Sequence, residues 1–268
     1  MLKSTLTASL LAMTLALTGP AMGHSGHDHG QEPVASSEQS NERQPRVRQS
    51  PGKDKDPHSP LSAYKNDEVL GWKMLVHEDL IADKDLYQEV RDEMHHQLFR
   101  ITKVIPAEQV AILQKVPVWI EFNNPYSNNC QFHPSRKWLS SNGYLAEKAQ
   151  AVEISNAKNF LRSSRGHQPF VMLHELSHAY HNIHLGFDHP EIIGAYKQAK
   201  DAGSYDKVLH MVGREVRAYA MTDHKEYFAE ATEAYFGTND HYPFVRPELK
   251  KHDPQAYAVL EKVWGVKK

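Results

Sequence analysis

Apolar residues recur at helical spacing from Lys84 to Val104, as Leu86, Val90, Met94, Leu98 and Ile101. That stripe predicts a helix with one core-facing side. Residues 69–76 (VLGWKMLV), 116–122 (VPVWIEF) and 151–155 (AVEIS) are short apolar runs rich in β-branched and aromatic residues. They read as strands. Pro106 opens a short helix over 106–115. Residues 123–129 (NNPYSNN) are loop by composition, and 130–150 shows no clear period. In the second half the pattern is helical over 169–185, 190–201, 205–214, 225–236 and 254–264. Gly186 and Gly237 stand at two of the expected helix ends. Strands come early and helices late, which predicts an α+β fold: a small sheet in the N-terminal part packed beside a mainly helical half.

The ends of the pattern lie outside this domain. Residues 1–23 carry one positive charge, Lys3, then an apolar core over 10–17 and small residues at Ala21 and Gly23. They read as a signal peptide cleaved before His24, which predicts an exported chain, periplasmic or secreted. Residues 24–60 are a His/Ser/Pro-rich leader with almost no large apolar residue, expected to be disordered. Within it, His24, His27 and His29 form a short tract of the kind that holds metal weakly. The domain proper is then 61–268. The chain has 31 basic and 33 acidic residues, which gives no case for nucleic acid as a partner. No second apolar run is long enough for a membrane span. A lone cysteine, Cys130, allows no internal disulfide and reads as a half-buried structural thiol.

The chemistry concentrates at His174-Glu175-Leu176-Ser177-His178, H-E-x-x-H within an apolar run. On a helix, residues four apart differ by about 40° in azimuth and about 6 Å in height. Two imidazoles so placed reach one tetrahedral zinc ion. Glu175, about 100° round from His174, is aimed to act on a metal-bound water rather than to bind the metal. A catalytic zinc takes three protein ligands. Downstream, Glu226, Glu230 and Glu233 fall at i, i+4 and i+7 and share one helical face. Like charges so arranged repel one another in a solvated helix, and a cation facing them removes the repulsion. Spacing does not say which of the three is the ligand.

Residues 217–231 (RAYAMTDHKEYFAEA), together with the H-E-x-x-H, resemble the catalytic domain of anthrax lethal factor and its relatives, among them the clostridial Pro-Pro endopeptidases. The likeness is specific over about 170–185 and 217–236. It implies a zincin-like fold and a zinc metalloendopeptidase with one catalytic Zn²⁺ and a protein or peptide substrate. Carried across, His174, His178 and Glu226 hold the metal, Glu175 is the general base, and Tyr219 steadies the oxyanion. Glu230 supports a ligand imidazole from behind. The strand before the motif helix, through Val152, Glu153 and Ile154, lies at the sheet edge and pairs with substrate.

Other readings stand beside this one. A metal-buffering protein suits the His-rich leader and the export signal but needs neither Glu175 nor Tyr219. An inactive peptidase-fold binding module is a second alternative. A metzincin would use His184 as third ligand; His181 stands where that pattern has glycine, so the helix has no break to swing His184 back. His181, about 10 Å along the helix from His174, reads as a polar core or rim residue.

Overall fold

The computed structural model describes residues 59–124, 127 and 129–266. Residues 1–23, expected to be a signal peptide, and the expected leader tract with His24, His27 and His29 lie outside the described residues. β1 (Tyr64–Val69) and β2 (Trp72–His77) form an antiparallel hairpin, turning at Leu70 and Gly71 with φ of 52° and 85°. The single strand expected over 69–76 is therefore parts of two, because this turn needs the left-handed region that glycine enters without strain. Short α1 (Glu78–Ala82) precedes α2 (Lys84–Val104), whose N-terminus is capped by the Asp83 side chain. All five stripe residues of α2 are buried. After α3 (Ala107–Leu113) come β3 (Val118–Ile120), β4 (Cys130–His133), α4 (Arg136–Ser141), β5 (Ala151–Ile154) and α5 (Ala157–Ser164).

The strands form one mixed sheet in the order β1-β2-β3-β5-β4, with β2, β3 and β5 parallel and the two outer pairings antiparallel. Val118, Ile120, Val152 and Ile154 point to the main core shared with the helices. Trp119 and Ala151 point to the opposite face, where Tyr64 packs against Trp119. That second face also holds a buried ion cluster. Lys148 Nζ donates to Glu121 Oε1 (2.6 Å) and Glu153 Oε1 (2.9 Å). Tyr64 donates to Glu121 (2.6 Å), and His133 Nε2 lies 2.6 Å from Glu153 Oε2. Burial alone would raise the Glu153 pKa, but Lys148 and His133 hold it well below the usual carboxylate range.

The helical half begins with α6 (Val171–Tyr180), which runs into a π turn (His181–Leu185) and stops at Gly186, φ 82°. α7 (Pro190–Ala202) follows. The helix expected over 205–214 is instead a small hairpin, β6 (Val208–Leu209) with β7 (Glu215–Val216). Gly213, at φ 86°, suits the turn and breaks a helix. α8 (His224–Phe236), α9 (Arg246–His252) and α10 (Pro254–Val263) complete the chain. Among the described residues no helix is long and apolar enough to cross a membrane.

α6 and α8 are the pair that builds the site. Every residue of α6 is buried, as is α8 from Tyr227 to Tyr235. Trp264 stacks on Tyr180 from α6 (ring centroids 4.1 Å apart) and lies parallel to Phe228 from α8. Its indole N–H reaches Thr232 (3.2 Å). At the other end Gly237 lets the two helices close. A Cβ there would lie 2.2 Å from the ring of Phe170, the residue that opens α6.

Candidate metal centre

The acidic face of α8 points inward. Glu230 and Glu233 are 4% and 5% exposed, so it is not a solvated outer surface. Asp223 caps α8, its Oδ1 accepting from the N–H groups of Lys225 (2.8 Å) and Glu226 (3.1 Å). This fixes the first turn and aims Glu226 at α6. Glu226 Oε2 lies 3.1 Å from His174 Nε2 and 3.2 Å from His178 Nε2, and the two Nε2 atoms are 3.1 Å apart. The three donor atoms make a nearly equilateral triangle. Tetrahedral zinc, with bonds of about 2.0–2.1 Å, separates its ligand atoms by about 3.3–3.4 Å. Two facing imidazole nitrogens and a carboxylate are also the right donor types. The residues therefore fit zinc.

The electrostatics agree with a cation site. Burial would raise the Glu226 pKa, but His174 and His178 pull it below the carboxylate range. Burial disfavours charge on His174, yet Glu226 and Glu233 outweigh it and raise its pKa.

The carboxylate that meets the His174 ring on the side away from Glu226 is Glu233, whose Oε1 lies 2.6 Å from His174 Nδ1. Glu230, expected at that place, makes no such contact. Glu230 instead accepts from Asn239 Nδ2 (3.1 Å) and faces His241. Seven residues after Glu226 is nearly two full turns, so Glu233 looks out over the flank of His174. Spacing could place it on the right face but not choose it over Glu230.

Glu175 is buried on α6, and its Oε2 accepts the backbone N–H of Phe132 (2.7 Å). Phe132 lies on β4, which the sequence did not reveal as a strand; four residues after a polar loop carry no readable alternation. β4 is one edge of the sheet, β1 being the other. β5 is interior, between β3 and β4, and its Glu153 side chain is fully buried in the ion cluster. Val152, Glu153 and Ile154 therefore do not form an edge for a substrate to join. Asn129 C=O accepts from Ser155 beside β5, so alternate residues Cys130 and Phe132 turn their backbone groups outward. That is why the Phe132 N–H meets Glu175.

Tyr219 opens a short 3₁₀ turn (Tyr219–Met221) before α8 and is half exposed. Burial of its hydroxyl, then the charge of Glu226, pushes its pKa above the ordinary phenol value; Glu175 and Glu230 add to the effect. The phenol thus stays a proton donor at the rim of the site. His184 stacks near Tyr180 (4.8 Å). Among the described residues the donor group around His174 and His178 closes with Glu226 and does not include His184. His181 is fully buried against Phe187, Phe228 and His224, with no hydrogen-bond partner for either ring nitrogen among the described residues. Burial, then His224, pushes its pKa down to about 3. Cys130 is partly buried at the edge of the main core, and burial with the nearby Glu175 charge raises its thiol pKa. It is therefore no ready nucleophile. No family model, no curated protein and no solved structure matches the chain, so the reading of this centre rests on its own residues and geometry.

Proposed function

We propose that the chain is an exported zinc-dependent endopeptidase of zincin-like architecture. The observation that carries this reading is the triangle of His174 Nε2, His178 Nε2 and Glu226 Oε2 at 3.1–3.2 Å, with a buried carboxylate, Glu175, on the same helix. Zinc, when bound, supplies a Lewis acid and makes water acidic near neutral pH. Glu233 holds the Nδ1 proton of His174, which keeps Nε2 as the electron-pair donor. The Phe132 N–H holds Glu175 by Oε2, leaving Oε1 to take a proton from water and pass it to the leaving amine. The Tyr219 hydroxyl donates to the scissile carbonyl oxygen as that oxygen gains charge. β4, the edge strand that already touches Glu175, is the strand suited to take a substrate backbone by β-addition. Export rests on residues 1–23 and is tested by the N-terminus of the chain recovered outside the cytoplasm.

The decisive experiment incubates the zinc-loaded full chain with a diverse peptide library and reads cleavage by mass spectrometry. Glu175→Gln should keep the fold and the zinc and lose about 10²–10⁴-fold in rate. Tyr219→Phe should lose about 10²–10³-fold, again with zinc kept. Equal cleavage by wild type and both variants refutes the mechanism. Absence of cleavage by the zinc-loaded wild type favours metal buffering or an inactive binding module.

A further inference from the structure

A second group of metal-ligand side chains lies outside this centre. His210 follows β6, and Asp240 and His241 follow α8. The backbone sews the two segments together: Met211 N–H donates to Asp240 C=O and Tyr242 N–H to Leu209 C=O, both at 2.8 Å. The resulting antiparallel bridge between His210 and His241 sets their rings edge to face, 4.6 Å between centroids. Asp240 lies between them, with Oδ1 2.7 Å from His241 Nδ1 and Oδ2 3.6 Å from His210 Nε2. One donor atom from each residue falls within 4.8 Å of the other two. Glu230 adds a fourth donor, an oxygen 3.5 Å from His241 Nδ1.

The side chains of His210, Asp240 and His241 are only 12%, 13% and 12% exposed. The nearby surface pair Lys207–Glu215 is 74% and 57% exposed. Two carboxylates this far from water need a compensating cation. Asn239, 3% exposed in the same loop, has Oδ1 buried with no partner among the described residues. A proton on His241 satisfies one ring. A divalent ion neutralises both carboxylates together and uses both rings.

We propose that His210, Asp240 and His241, with Glu230 as a fourth donor, form a second metal site for a borderline divalent cation such as Zn²⁺. Two imidazoles favour that class over Mg²⁺ or Ca²⁺, which take oxygen ligands. The donors are more widely spread than the triangle of the first centre, so they must draw together on binding and the site is the weaker of the two. His210 Nδ1 now accepts the Val212 N–H (3.2 Å). Metal at Nε2 puts a hydrogen on Nδ1 and releases that contact to water, where exposed Val212 already sits. The ion would clamp the β6–β7 hairpin and the 239–241 loop onto α8, the helix that carries Glu226 and Glu233. Metal and proton compete for the two imidazoles, so affinity should fall as pH drops.

The proposal does not depend on peptidase activity. Its test uses the full chain, with Zn²⁺ throughout and Cd²⁺ as the NMR probe, as wild type, His178→Ala, His210→Gln, His178→Ala with His210→Gln, His210→Gln with Asp240→Asn, and His178→Ala with both. Any metal held by the leader is a common background. Equilibrium dialysis should show one zinc fewer per chain for His210→Gln/Asp240→Asn and, independently, one fewer for His178→Ala. In the His178→Ala chain zinc should raise Tm, and adding His210→Gln alone should remove the rise. ¹¹³Cd NMR of wild type should show a signal that His210→Gln deletes and His178→Ala leaves in place. The proposal is overturned if the His210→Gln/Asp240→Asn chain keeps the wild-type stoichiometry, or if the zinc-induced Tm rise of His178→Ala survives His210→Gln. A His178→Ala chain that keeps the wild-type zinc count would sink the peptidase reading's metal set without touching this site.

Discussion

Glu233→Gln isolates what the carboxylate behind His174 contributes to the metal centre. The Oε1–Nδ1 distance is 2.6 Å and the Glu233 side chain is 6% exposed, so solvent screens the contact little. Burial pushes the Glu233 carboxyl pKa up to about 8 against the pull of His174, so the charged form is the one that a bound cation at the centre would favour. A hydrogen bond to a charged group contributes about 1.5–3 kcal/mol, and a neutral one about 0.5–1.5 kcal/mol. Glutamine keeps a carbonyl acceptor of the same reach, so the expected loss is the difference, about 1–1.5 kcal/mol. At about 1.4 kcal/mol per decade, zinc Kd rises roughly 5–12-fold. Glu233→Ala also strands a buried Nδ1–H donor and should approach the upper end of the 10–100-fold range typical of such outer carboxylates. Glu230→Gln, which removes no contact to either ligand imidazole, should shift Kd by less than about threefold. The assay is chelator competition, in chains that also carry His210→Gln so that only the first centre reports. The reasoning fails if Glu230→Gln weakens zinc as much as Glu233→Gln, or if Glu233→Gln leaves Kd unchanged.

Lys148→Met should cost about 3–5 kcal/mol in a urea unfolding experiment, because it leaves the Glu121 and Glu153 carboxylates buried without their cation; a loss under 1 kcal/mol would count against a charged cluster. His181 is held neutral in the fold, with its pKa down at about 3 against an ordinary value of 6.5. Its contribution is therefore complete above pH 6.5 and lost as pH falls toward 3, at up to about 1.4 kcal/mol per pH unit. His181→Leu should flatten that acid limb, read as Tm at pH 7 and pH 4.5; an unchanged slope refutes the assignment. Gly237→Ala drives a Cβ into the Phe170 ring and should destabilise by about 1–3 kcal/mol, with zinc affinity falling as the start of α6 shifts; equal stability of the variant would show that the ring yields freely.

What the sequence determined by itself is what repeats locally. The α2 stripe placed the helix at Lys84–Val104, where the structure has it, because one buried face at 3.6-residue spacing is a local property. The i, i+4 spacing of His174 and His178 put two imidazoles on one side of one helix for the same reason. The three carboxylates of α8 were legible as one helical face, which the structure turns inward. Long-range pairing was not legible. β4 is a four-residue strand that exists only by pairing with β5 across an intervening helix, while the Leu70–Gly71 turn and the 208–216 hairpin are local but too short to show an alternation. β5 is interior because β4, earlier in sequence, returns to pair outside it, and no local pattern encodes which strand ends a sheet. Glu233 rather than Glu230 meets His174 because of how α6 and α8 cross, where Gly237 approaches Phe170 and Trp264 packs on both helices. A helical face offers both carboxylates, and only the packing angle between two helices selects one.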